Sequence, residues 1–87
     1  MIVRLYSKPN CGLCDEAKAV LERVRARLPF ELLEEDIRAD PAVFAAYRYD
    51  IPVVIIGGLV AFKHHLEEAE VERYLRRVLA GTSVADS

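Results

Sequence analysis

The chain contains only two cysteines, Cys11 and Cys14, which are separated by two residues. A C-x-x-C pair near a β-α-β pattern is typical of a redox motif, because one thiol attacks a disulfide and the other resolves the mixed disulfide. A helix that begins at the first cysteine would favour its thiolate, since the free N–H groups of a helix N-terminus carry about half a positive charge. We therefore expect Cys11 to be the nucleophile and Cys14 the resolving thiol.

The segments on either side of the cysteines predict a strand before them and a helix after them. The β-branched and aromatic run Met1–Tyr6 indicates a strand, and Ser7–Asn10 supplies the turn residues that end it. Apolar residues then recur at helical spacing from Leu13 to Leu28, and Pro29 ends this helix. The cysteines are consequently expected at a strand-to-helix junction.

The rest of the chain predicts three strands and two helices. The strands are expected at Phe30–Glu35, Pro52–Ile56 and Leu59–Phe62, with Gly57-Gly58 as a tight hairpin turn. The helices are expected from Pro41, after the N-cap Asp40, to about Tyr47, and from about Leu66 to Ala80, with Gly81 as C-cap. The order β-α-β-α-β-β-α requires a right-handed crossover between two parallel strands. We therefore expect an α/β, thioredoxin-like fold, in which three helices flank a four-stranded mixed sheet.

Length and composition predict one small domain. The chain has 87 residues, of which 53% are hydrophobic and 30% charged, an ordinary globular composition. We expect one domain over residues 1–81 and a polar tail that frays over residues 82–87. No apolar run approaches the ~18 residues of a membrane span, and no secretory signal is visible, so membrane insertion is not expected and a cytoplasmic location is the default. The net charge of −2 argues against nucleic acid as a partner.

The residues around the cysteines resemble a known family. The stretch Tyr6–Cys14 is similar to the opening of a glutaredoxin-type protein. The pattern Cys-x-Leu-Cys-Asp-Glu-Ala, here Cys11 to Ala17, resembles a family of small bacterial glutaredoxin-like proteins in the thioredoxin superfamily, and the resemblance covers nearly the whole chain. It implies a nucleophilic first cysteine and a resolving second one.

The resemblance also implies residues that contact the substrate. Pro52 would be a cis-proline that faces the cysteines, exposing the backbone of Ile51 as a strand-like edge for glutathione or a peptide; the alternative is a proline that merely opens a strand. Lys8 would meet a carboxylate of glutathione, or would be a solvated loop lysine. Apart from the resemblance, the residue types themselves indicate that Gly12 would leave room for the sulfur of a partner and that Leu13 would either pack inward or form an apolar rim.

The sequence departs from the glutaredoxin pattern where glutathione would bind. Ile51 stands where a threonine usually precedes the cis-proline. The pair Gly57-Gly58 falls at the hairpin turn and is not equivalent to the glycines that hold glutathione. The equivalent positions carry Phe62–His65, which are bulky and partly basic. These departures weigh against glutathione as the substrate.

The sequence therefore predicts a thiol-disulfide oxidoreductase that reduces protein or low-molecular-weight disulfides through Cys11 and Cys14. We expect a monomer with no bound metal or cofactor, partnered by a disulfide-containing protein or small thiol and supplied with electrons by glutathione or a flavin reductase. One alternative is a carrier of a metal or an iron–sulfur cluster held between two chains. Another is a redox-inactive interaction module on the same fold. His64 and His65 are expected to be solvated, since adjacent residues of a strand point to opposite faces.

Overall fold

A four-stranded mixed sheet forms the centre of the computed structural model, which describes residues 1–81. Its strands are β1 (Ile2–Ser7), β2 (Glu31–Asp36), β3 (Val53–Ile56) and β4 (Leu59–Lys63). They lie in the order β2-β1-β3-β4. The β1–β2 pair is parallel, and the β1–β3 and β3–β4 pairs are antiparallel. The succession of strands and α-helices along the chain is the one that the sequence predicts. The expected tail at residues 82–87 lies outside the described residues.

Three α-helices accompany the sheet. They are α1 (Gly12–Arg25), α2 (Pro41–Tyr47) and α3 (Glu68–Leu79), and a short 3-10 helix at Ile37–Ala39 precedes α2. The predicted N-cap of α2 is confirmed, since the side chain of Asp40 accepts the Ala42 N–H at 2.9 Å. Within residues 1–81, no helix is both long and apolar enough to cross a membrane.

The first helix is shorter than its apolar stripe predicts. It ends at Arg25, and Leu28 follows in a turn, where its backbone N–H donates to the carbonyl of Val24 at 3.0 Å. Leu28 is nevertheless buried in the core. The stripe continues beyond the helix because the turn keeps this side chain directed into the protein.

The core lies where α1 and α3 meet the sheet. Burial alternates along β1, where Val3 and Leu5 are fully buried, as expected for a sheet face that packs against helices. In β3, Val53, Val54 and Ile56 are all buried. The cluster comprises Val3, Leu5, Ala17, Val20, Leu21, Val24, Leu28, Val54, Ile56, Leu66, Val71 and Leu75. Leu79, at the end of α3, is 38% exposed.

The strand register decides which loops share an edge of the sheet. Tyr6 pairs with Val53, so the loop after β1 and the residues before β3 lie at the same edge. Val3 pairs with Ile56, which places the Gly57-Gly58 turn at the opposite edge. The cysteine loop therefore shares its edge with the Ile51-Pro52 segment and not with the glycine pair.

Candidate active site

Cys11 is the N-cap residue of α1, as the sequence predicts. It has extended backbone angles, and its sulfur accepts the backbone N–H of Cys14 at 3.2 Å. The two Cα atoms are 5.2 Å apart and the sulfurs are at disulfide distance. The C-x-x-C pair thus combines a helix N-terminus with a geometry that allows the two sulfurs to bond to each other.

The two sulfur-bearing residues differ in exposure. Cys11 is partly exposed, whereas Cys14 is only 1% exposed. Of the two residues between them, Gly12 has open space where a Cβ would be, and Leu13 is 48% exposed. Leu13 therefore lies at an exposed rim and is not packed inward, the other arrangement that the sequence allows. The surface beside Cys11 is open at Gly12.

Pro52 lies at the same edge of the sheet as the cysteine loop. The Ile51-Pro52 peptide bond is cis, as the resemblance implies. Pro52 is fully buried, and its carbonyl accepts the backbone N–H of His64 at 2.8 Å. Ile51 is partly exposed just before β3 begins. The structure thus brings the proline segment and the start of α1 together at one end of the sheet.

Lys8 occupies a polar environment on the other side of the cysteine loop. It is exposed and lines a cavity of about 330 Å³ together with Ser7, Asp15 and Glu34. The Glu34 carboxylate accepts the Ser7 hydroxyl at 3.0 Å and lies 3.0 Å from Lys18 Nζ. The hydrogen bond to Glu34, aided by its negative charge, raises the pKa of Lys18 above its ordinary value. Lys8 therefore shares this cavity with carboxylates of its own chain.

His64 and His65 lie near the edge of the sheet that carries the cysteine loop and Pro52, which the sequence does not predict. Both are exposed, as expected, but they follow β4 and line a groove together with Leu13. His64 has a left-handed φ of 68°, and its Nε2 is 3.8 Å from the Asp50 carboxylate. Counting residues along the hairpin from its glycine turn brings the end of β4 to the edge that holds Pro52, but regular pairing would place Lys63, and not His64, opposite Pro52. Within residues 1–81, no three His, Cys, Asp or Glu side chains form a group that could hold a metal ion.

Residues 2–76 match the family model described as "Glutaredoxin-like domain (DUF836)". The chain belongs to this glutaredoxin-like family. A curated relative, the glutaredoxin-like protein YDR286C homolog of Dictyostelium discoideum, is 25% identical over 83 residues, which are 88% of this chain and 77% of that protein. The resemblance drawn from the cysteine motif is thereby confirmed.

Solved structures share the fold. The XcR50 target protein of X. campestris superposes with a TM-score of 0.71 and 24% identity, covering 85% of this chain and 95% of that one. Thioredoxin 1 of Thermosipho africanus gives a TM-score of 0.70 at 16% identity, covering 94% and 98%. Protein Ne2328 of Nitrosomonas europaea gives a TM-score of 0.71 at 22% identity, covering 83% of this chain and 87% of that one. The thioredoxin-like fold predicted from the order of elements is confirmed.

Proposed function

We propose that this glutaredoxin-like protein is a thiol-disulfide oxidoreductase in which Cys11 attacks the substrate and Cys14 resolves the product. The observation that carries the proposal is the placement of the Cys11 sulfur, which caps α1 and accepts the Cys14 N–H at 3.2 Å. N–H donors at a helix N-terminus stabilise a thiolate, the form of cysteine that attacks disulfides. Partial exposure makes that thiolate accessible, while the burial of Cys14 reserves it for an internal reaction.

The reaction proceeds by two exchanges. The Cys11 thiolate attacks one sulfur of the substrate disulfide, so that a mixed disulfide forms, the substrate S–S bond breaks, and the departing thiolate takes a proton from water. Cys14 then loses its proton and attacks the Cys11 sulfur, which releases the second substrate thiol. The substrate gains two electrons and two protons, and the protein is left with a Cys11–Cys14 disulfide.

The substrate reaches Cys11 along the edge of the sheet that carries Pro52. Gly12 leaves space for the incoming sulfur, and Leu13 borders it. The backbone of Ile51 offers hydrogen bonds to an extended disulfide-containing protein or a small thiol. Lys8 is exposed in the cysteine loop beside Asp15 and Glu34, so a carboxylate of the substrate would compete with these two groups for its ammonium.

A donor of two electrons must reduce the Cys11–Cys14 disulfide after each turnover. Two molecules of glutathione or a flavin-dependent reductase would supply the electrons, and a reducing cytoplasm is the compartment that fits this cycle. The Gly57-Gly58 turn lies at the far edge of the sheet, so the chain lacks a glycine pair beside its cysteines where glutaredoxins bind glutathione. We therefore favour a flavin-dependent reductase as the electron donor. The protein would act as a monomer in this cycle.

A redox titration tests this function. The purified protein, treated with a chelator, is equilibrated in buffers of graded potential, and free thiols are counted at each step. We expect one two-electron transition between about −120 and −270 mV, the range of known thiol oxidoreductases. Cys14→Ser, which cannot form the internal disulfide, is the control and should lose that transition. Two thiols that stay free in every oxidising buffer would overturn the proposal.

A further inference from the structure

A groove leads away from the C-x-x-C motif between α1 and the segment 64–68. It has a volume of about 330 Å³. Its apolar lining comes from Leu13, Ala17 and Val20 of α1 and from Leu66 on the opposite wall. Leu13 is half exposed and the other three are buried, so they form a floor with Leu13 at its open end. Since Leu13 precedes Cys14 directly, a side chain in this groove would belong to a residue close to the reacting cysteine of a substrate.

The rim of the groove carries an excess of negative charge. Among the described residues that line it, Glu16, Glu67 and Glu68 are acidic and Arg23 is the one guanidinium, a net formal charge of −2 when the histidines are neutral. Arg23 Nε lies 2.7 Å from the Glu68 carboxylate, so its charge is already matched within the chain. An anionic ligand would meet two surplus carboxylates there.

The histidines of the rim also have acidic partners. His65 Nε2 is 3.2 Å from the Glu67 carboxylate, and His64 Nε2 is 3.8 Å from Asp50. A carboxylate of a ligand would have to compete with these internal partners for either imidazole. A cationic group on a ligand would instead add to the attraction of the rim carboxylates.

We propose that this groove selects disulfides of peptide segments in which a large apolar residue and a basic residue flank the reacting cysteine, and that it discriminates against glutathione disulfide. The apolar side chain fills the floor between Leu13 and Leu66, and the basic residue faces Glu16 and Glu67. Glutathione carries net negative charge and has no large apolar side chain, so it meets neither requirement. This inference rests on the proposed function and names its substrate class.

Matched peptides test the selectivity. Short peptides with leucine and lysine, leucine and glutamate, or alanine and lysine around one cysteine are each linked through a disulfide to the same small thiol, and the rate of reduction by the reduced protein is measured. We expect leucine to be preferred to alanine by about tenfold, the value of a well-filled apolar pocket. Lysine should be preferred to glutamate by about two- to fivefold for each rim carboxylate. Glutathione disulfide should react more slowly than the leucine–lysine peptide.

Charge reversal on the rim provides the decisive comparison. Glu16→Lys and Glu67→Lys should each lower the lysine-to-glutamate rate ratio by about the same two- to fivefold. Glu67 makes no side-chain capping hydrogen bond, so its replacement removes none from the start of α3. Glu70→Lys, an exposed change on α3 outside the groove, is the matched control and should leave the ratio unchanged. The ratio cancels any change in the reactivity of Cys11, because both peptides react with the same thiolate.

The outcomes separate this inference from the function on which it rests. If all peptides and glutathione disulfide are reduced at equal rates, the groove does not select and the inference is wrong, while the oxidoreductase function stands. If none of these disulfides is reduced, the proposed function itself fails. A preference for glutamate over lysine would reverse the sign of the charge argument and also overturn the inference.

Discussion

The backbone N–H of His64 donates a hydrogen bond of 2.8 Å to the carbonyl oxygen of Pro52. This bond joins the end of β4 to the proline segment at the edge of the sheet that carries the cysteines. Residues 64–68 then form one wall of the groove beside Leu13. The bond therefore helps to fix the distance between that wall and α1.

The conformation of His64 makes this position sensitive to the shape of its side chain. His64 has a left-handed φ of 68°, a region that β-branched residues rarely adopt, whereas its neighbour His65 has no positive φ. We expect His64→Val to lower the free energy of unfolding by about 1 kcal/mol. His64→Gly should not lower it, because glycine adopts this conformation freely. Urea unfolding measures both, with His65→Val as the control; an equal loss in the two valine variants would refute the argument.

The unequal exposure of the cysteines predicts unequal alkylation. Cys14 is 1% exposed and Cys11 is partly exposed at the start of α1. In the reduced native protein, a limiting amount of iodoacetamide should therefore label Cys11 far more than Cys14, because only the former combines access with a stabilised thiolate. Peptide mass spectrometry after digestion locates the label. The urea-unfolded protein is the control and should label both thiols; comparable labelling in the native state would contradict the assignment of roles.

Replacement of Cys14, the proposed resolving cysteine, should stop the reaction at the mixed disulfide. In Cys14→Ser, Cys11 can attack a substrate disulfide but no second thiol is present to release the product. We expect a stable mixed disulfide on Cys11, visible as an added mass on the intact protein and removed by dithiothreitol. Cys11→Ser is the matched control and should form little adduct, because its remaining thiol is buried. Adduct formation by Cys11→Ser at the rate of Cys14→Ser would reverse the two roles.

Much of the fold could be predicted because its signals are local. The proline at the start of α2, the β-branched run of β3 and the glycines of the hairpin each specify a conformation within a few residues. The placement of Cys11 and Cys14 at the start of α1 was likewise predictable from their position between a predicted strand and a predicted helix. The cis conformation before Pro52 was implied only by resemblance to a family, since few X–Pro bonds in proteins are cis.

The position of His64 could not be predicted because it depends on an irregularity in strand pairing. Ile55 pairs with Val60, but Val54 pairs with Phe62, so β4 carries one additional residue at this point. Without this bulge, regular pairing would set Lys63 opposite Pro52, and with it His64 takes that place. Bulges redirect side chains at the ends of strands. No residue pattern in β4 predicts the bulge found here. The residues that form this wall of the groove, on which the proposed selectivity depends, could therefore be identified only from the structure.

Arginines link the region of α1 to α3 through a shared set of ion pairs. Arg27, in the turn after α1, lies 2.8 Å from the Glu68 carboxylate and 2.7 Å from that of Glu72. Arg23 also bonds Glu68, and Arg76 bonds Glu72. The hydrogen bond from Arg27, followed by that from Arg23, lowers the pKa of Glu68 below its ordinary value, and those from Arg76 and Arg27 lower the pKa of Glu72.

These lowered pKa values predict how stability depends on pH. A carboxyl group whose pKa is lower in the folded state stabilises the fold above its unfolded pKa, and this contribution is lost as the pH falls through the folded pKa. We expect Arg27→Leu to lower the melting temperature modestly at neutral pH, because both carboxylates lose a partner. The difference between wild type and variant should shrink as the pH falls below 4.5, the ordinary value for these groups, since protonated carboxyls no longer need the guanidinium. Thermal melts across this range measure it.

A matched control isolates the ion pairs from the loss of an arginine in general. Arg73→Leu removes an exposed arginine of α3 that lies outside this set of ion pairs, and should leave the melting temperature nearly unchanged across the same pH range. Salt at about 1 M, which shortens the screening length to about 3 Å, should also reduce the effect of Arg27→Leu. A difference for Arg27→Leu that is the same at neutral and acid pH would mean that its packing, and not its charge, joins the two helices.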